Sequence, residues 1–401
     1  MAPAQTPAPP PKKVERREPP QTMVLTMSMS GGVADDLANG GSTLTRTGFH
    51  TDADALLSYQ RRLGRGATTI GATGRSVFRY APALGAAKPM YDQGEFMVSR
   101  VGTKSQFRAL QSITYSPNYQ FGAVPGAAVT AIDATAQSHG DFANSDLTAL
   151  SSATNIDVSR KISRRDALSV SYSLQRTTFD DQNLDWTYQN ISGRLVHRLT
   201  RSISMRTGYG YLMAESGFTK TGSTRNHAID VGLDYSRPLA FSRRTTLNFS
   251  SGYAATPYDQ GTAYNMTGEV GLTREIGRTS RAHLGVNRSV QLIEGFTQPA
   301  LMNAVTGNFS GSLGRRASIS SSAGFSSGTV GMGAREGNNY ANWMGAVGFH
   351  LTLNRRASVN AQYSSYHHRF DPGVQLAPGM ASRLNRQGVR VSLTWLAPLL
   401  H

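Results

Sequence analysis

The sequence predicts an all-β protein, a transmembrane antiparallel up-and-down β-barrel of about 18 strands, within a range of roughly 16–20. Three observations carry that prediction. Apolar residues recur at every second position in one segment after another, and successive side chains of a strand point to opposite faces. The segments are long, roughly 11–15 residues, and their second face is rich in Ser, Thr, Asn, Gln and Gly. Short basic turns recur about every 40 residues and alternate with longer loops, a repeat of one hairpin plus one loop. A propeller blade would instead hold four short strands and bury both faces of each sheet.

The 401-residue chain is 39% hydrophobic and 16% charged, outside the disordered class. No run approaches 18 consecutive apolar residues, which excludes membrane helices, whereas a membrane-crossing strand needs only about 9–11 residues. The mean hydropathy of −0.34 then averages a lipid face with a wet one. Cysteine is absent, excluding disulfides, thiolate metal sites and Cys nucleophiles. Of 41 basic residues 35 are Arg, and the net charge is +16, which favours phosphate or carboxylate partners.

Residues 1–21 hold seven of the 17 prolines and read as a flexible periplasmic tail. No signal peptide is visible; Ala2-Pro3-Ala4 before Gln5 resembles a cleavage site, so a removed signal is preferred to a cytosolic start. The barrel spans 22–396. Its first strand, 22–31, alternates Met23, Leu25, Met27 and Met29 with Val24, Thr26, Ser28 and Ser30. Strands 52–62 and 67–80 flank Leu63-Gly64-Arg65-Gly66, and 91–101 and 105–116 flank Val101-Gly102-Thr103-Lys104. Strands 145–160 and 166–178 flank Ile162-Ser163-Arg164-Arg165, the second setting Leu168, Val170, Tyr172 and Leu174 against serines.

Strands 184–199 and 202–215 flank Leu199-Thr200-Arg201-Ser202; in the first of them apolar parity switches between Tyr188 and Ile191, which predicts a bulge. Next come 225–237 and 244–255 around Arg243-Arg244, then 262–276 and 280–293 around Gly277-Arg278. Strands 302–313 and 316–327 flank Gly314-Arg315-Arg316, and 340–354 and 356–369 flank Asn354-Arg355-Arg356. The last strand, 384–396, alternates Val389, Val391, Leu393 and Trp395 with Arg390, Ser392 and Thr394, and 397–401 form a short extension. No proline beyond residue 21 is expected inside a strand paired on both sides, since proline cannot donate to the ladder. Tyr80, Tyr115, Trp186, Tyr211, Tyr253, Trp343 and Trp395 are expected in interfacial girdles. The connection 117–144 is the expected lumen constriction, with a cap over the mouth as the alternative.

Charge is segregated. The short turns carry a basic rim that includes Arg164, Arg165, Arg201, Arg243, Arg244, Arg278, Arg315, Arg316, Arg355 and Arg356, opposed only by Asp166 and Glu275. Acids such as Asp52, Asp54, Asp92, Asp180 and Asp371 are assigned to the long-loop side. The rim either binds lipid phosphates and anchors the barrel or gathers anionic solute at the mouth. Inward parity adds Arg75, Arg79, Arg108, Arg206, Arg386 and Arg390 with Asp230, Asp234 and Glu269, as a mixed selectivity lining or as ion-paired packing. Nucleic-acid binding is disfavoured, because the charge is spread over turns.

The even hairpin count, short turns on one side, long loops on the other and the aromatic end of the last strand resemble the porin-like outer-membrane β-barrel superfamily of Gram-negative bacteria, over roughly residues 22–396. The resemblance implies an outer-membrane location, with lipid and the barrel assembly machinery as partners. Val391, Leu393 and Trp395 resemble the terminal signal that the machinery recognises, although Leu396 to His401 follow it. Residues Ser28 to Asp36 are also similar to the first strand of barrels found near exopolysaccharide export systems.

The function expected is passive diffusion of small anionic or polar solutes through a water-filled lumen, without a cofactor. The alternatives are export of an acidic polysaccharide and a structural or adhesive barrel closed by its loops. An enzyme is not expected: no P-loop, HExxH or nucleophile elbow occurs. In the one histidine cluster, His367 and His368 are adjacent in a strand and point to opposite faces, a poor metal pair. Gly208-Tyr209-Gly210 is too short to signify phosphate binding and reads as strand packing.

Overall fold

The computed structural model describes residues 21–34, 48–63, 67–81, 87–117, 147–180, 184–217, 223–239, 242–258, 261–291, 298–331, 338–376 and 382–400. The Pro-rich tail before residue 21 and nearly all of the 117–144 connection lie outside them. The strands are β1 (Gln21–Ala34), β2 (Gly48–Leu63), β3 (Thr68–Tyr80), β4 (Ala87–Val101), β5 (Ser105–Ser116), β6 (Ala149–Lys161), β7 (Asp166–Phe179), β8 (Trp186–Arg198), β9 (Ile203–Ser216), β10 (Ser223–Leu239), β11 (Ser242–Tyr258), β12 (Gly261–Ile276), β13 (Ser280–Gln291), β14 (Ala300–Leu313), β15 (Ala317–Val330), β16 (Asn339–Thr352), β17 (Ala357–Phe370) and β18 (Arg383–Leu400). Each pairs antiparallel with its neighbours in sequence, and β1 pairs with β18 to close an 18-stranded barrel. Closure removes the sheet edge, whose unpaired N–H and C=O groups lipid could not satisfy.

Period two sorts the side chains. Ile229, Val231 and Leu233 on β10, Trp343, Val347 and Phe349 on β16, and Val389, Val391, Leu393 and Trp395 on β18 are exposed on the outer face. Each such aliphatic or Phe side chain stabilises the inserted state by roughly 1.5–3 kcal/mol when lipid replaces water. The short turns follow from local chemistry: Gly277 and Gly314 open theirs at φ 67° and 88°, which an L side chain resists.

Three expectations are corrected. Four prolines lie within strands: Pro89, Pro238, Pro257 and Pro398. They sit near strand ends, and the register shifts beside Pro89, Pro238 and Pro398 accommodate the missing donor. Strand β8 carries no bulge, its register being continuous with both neighbours. Trp186 instead points into the barrel, 4% exposed, with its ring stacked on Tyr188 at 5.6 Å, while Ile191 and Leu195 face out. An aromatic near the mouth can therefore pack in the lumen as well as at the lipid interface. The last strand runs to Leu400, so Ala397 to Leu400 continue the ladder with β1.

Candidate functional site

The inner wall is the candidate site, and its charges are arranged in pairs. Arg79 on β3 donates two hydrogen bonds to Asp52 on β2, at 2.7 and 3.0 Å. Arg390 on β18 reaches the same carboxylate across the inner face of β1. Gly32 of β1 makes that reach possible: a Cβ there would lie 2.6 Å from the Val389 carbonyl oxygen and 2.9 Å from the His50 ring. Nε2 of His50 is 3.8 Å from Asp52. Further along β3, Arg75 grips Asp54 at 3.0 and 2.7 Å and lies over the Tyr91 ring, 5.4 Å from its centroid. Such bidentate pairs hold planar geometry as well as charge.

The other predicted lumen residues are spread around the wall. Arg206 on β9 pairs with Asp234 on β10 at 2.6 Å. Arg108 on β5 stands opposite Asp157 on β6 in register, and Glu269 on β12 is exposed on inward parity. Arg386 is buried on β18 beside Tyr366. Asp230 occupies an inward register position on β10, and its side chain lies outside the described ones. Asp52 and Asp54 lie towards the long-loop end of β2, on the side the sequence assigns them, and there neutralise wall arginines. Their position four to six residues into the strand was the available signal, since it shares the parity of Leu56 and Ser58. Arg194 and Asn226, which sequence reasoning passed over, also line the lumen.

On the adjoining stretch of wall, β14 to β17, the chemistry is aromatic and apolar. Tyr366, His368 and Phe370 form an inward ladder on β17, with ring centroids 5.6 and 4.9 Å apart. Met302, Ala304, Val330, Tyr340 and Phe370 are buried together with Val374, and Leu376 packs against them. The segment 371–376 after β17 therefore folds onto the inner wall and narrows the lumen there. His368 is 1% exposed within this packing.

At the short-turn end Arg164, Arg165, Arg201, Arg244, Arg278, Arg315, Arg316, Arg355 and Arg356 are all exposed; the Arg243 side chain lies outside the described ones. In the first of these turns the Ser163 hydroxyl donates to Asp166 and accepts from the Arg165 and Asp166 amides at 3.0 Å. With His197 Nδ1 at 2.6 Å, these bonds hold the Asp166 carboxyl below the usual carboxylate range, the Ser163 bond contributing most. Val391, Leu393 and Trp395 stand in a row on the outer face of β18.

This architecture is shared by solved barrels. OccK2 (OpdF) from Pseudomonas aeruginosa matches with a TM-score of 0.50 and 10% identity, covering 95% of this chain and 98% of its own. The chain has the porin-like outer-membrane barrel fold. OpdL, also from Pseudomonas aeruginosa, aligns with this porin-like barrel at a TM-score of 0.49, 10% identity and coverages of 95% and 99%. A loop-deletion mutant of OmpT, an outer-membrane protein of Vibrio cholerae, gives 0.40, 10%, 94% and 100%. No family profile and no curated protein matches the sequence. The apolar outer belt around a closed 18-strand barrel is that of a membrane-spanning barrel of the outer-membrane type.

Proposed function

We propose that the barrel is a passive pore for small polar solutes, with anions preferred over cations. The observation that carries this reading is the inner wall of a closed 18-strand barrel, set with Arg, Asp, Ser and Asn on inward parity. A wall of that kind gives a solute partners to replace part of its hydration, and binding weak enough to release it again. The preference for anions has its source in the exposed arginines of the short turns, a positive mouth that concentrates counter-ions. The same arginines suit lipid phosphates at the inner leaflet and would fix the barrel's height in the membrane.

Solute flux into proteoliposomes tests the reading. Vesicles carrying the refolded barrel should swell in isotonic solutions of small polar solutes, faster for small ones than for oligomers. Vesicles no more permeable than protein-free controls would contradict it.

A further inference from the structure

One recess of the lumen is built differently from the charged walls. Gly208 and Gly210 on β9 point inward between β8 and β10 and leave a floor without side chains. Above that floor lies a cavity of about 410 Å³, whose lining includes Tyr188, Asn190, Ser192 and Arg194 of β8, Asn226 of β10 and Gln291 of β13. Its volume falls in the roughly 300–1,000 Å³ range of small-molecule sites. Asn226 is 7% exposed, and its side-chain oxygen has no hydrogen-bond partner among the described residues. Tyr188 is braced from behind by its stack on Trp186.

We propose that this recess is a binding subsite for an uncharged, polyhydroxylated ring, of monosaccharide size, on the permeation path. The inference rests on the pore reading and names a solute class within it. Three amides, Asn190, Asn226 and Gln291, supply donors and acceptors around the cavity, the pattern that matches hydroxyl groups, which donate and accept at once. A carboxylate can only accept, and would leave the buried Asn226 oxygen without a donor, which costs affinity. Tyr188 offers the aromatic surface on which the C–H face of a sugar ring packs. The glycine pair thus gains a role as the floor of a site, where the sequence alone suggested only strand packing.

Equilibrium binding of glucose and of gluconate to the refolded barrel in detergent, by saturation-transfer NMR and calorimetry, tests the proposal beside bilayer conductance of the same preparations. Glucose should bind more tightly than gluconate. Gly210→Val should abolish the binding by filling the recess; a Cβ at Gly210 meets Ala228 and Ser192 at an ordinary 3.8 Å, so the strand tolerates it. Asn226→Ala should weaken glucose binding about tenfold, and Asn190→Ala should weaken it measurably without touching a buried group. Ion conductance should persist in the Asn variants. Glucose binding unchanged by Gly210→Val, or gluconate preferred, would overturn the subsite; conductance with no glucose binding would overturn it and leave the pore standing. Glucose binding lost in Gly210→Val but no conductance in any preparation would support the recess and contradict the pore.

Discussion

Arg390 and Asp52 form an ion pair over the full width of β1, joining the last strand to the second across the seam where the barrel closes. Asp52 is 3% exposed and also holds Arg79, so its carboxylate lies between two guanidiniums. Asp52→Ala would remove the carboxylate that buried Arg79 and half-buried Arg390 share. The expected loss of stability is about 3–5 kcal/mol, read by urea unfolding in lipid vesicles. Arg390→Ala should cost less, because Asp52 keeps Arg79, and the double variant should be non-additive.

Gly32 is the crossing point of that pair. The Cβ of Gly32→Ala would collide with the Val389 carbonyl oxygen at 2.6 Å and with the His50 ring at 2.9 Å. The substitution should destabilise by about 1–3 kcal/mol and slow refolding in lipid, whereas Gly31→Ala, with nothing within 4 Å of its Cβ, should be close to neutral.

The three tryptophans separate the two faces. Trp343 and Trp395 are 43% and 47% exposed on the outside, and Trp186 is 4% exposed within. In single-tryptophan variants, brominated lipid should quench Trp343 and Trp395 strongly and Trp186 hardly at all. Strong quenching of Trp186 would reverse its assigned face.

The strand plan was readable because lipid demands an apolar side chain at every second position, and every predicted segment became a strand with ends displaced by at most four residues. Places where lipid makes no demand were harder. Trp186 and Tyr188 satisfy a lumen wall as well as a girdle, so their parity resembled a bulge. Asp52 and Asp54 lie near a strand's loop end, where a charge looks solvated until its partners on β3 and β18 are known. Three of the four prolines within strands stand where the ladder shifts register and a donor can be spared. The recess over Gly208 and Gly210 draws part of its lining from β13, a strand not adjacent to β8 to β10, which no local pattern announces.

The exposed turn arginines should set ion preference at low salt. Replacing Arg315, Arg316, Arg355 and Arg356 by Glu should move the reversal potential towards cations. The difference should fade at about 1 M salt, where the Debye length is only about 3 Å.

The most direct measurement is single-channel recording of the refolded barrel in planar bilayers under a salt gradient. Discrete conductance steps with a reversal potential on the anion side are the predicted result. A silent bilayer, from protein shown to be folded by its heat-dependent gel mobility, would contradict the pore; conducting steps with a cation-side potential would contradict the anion preference.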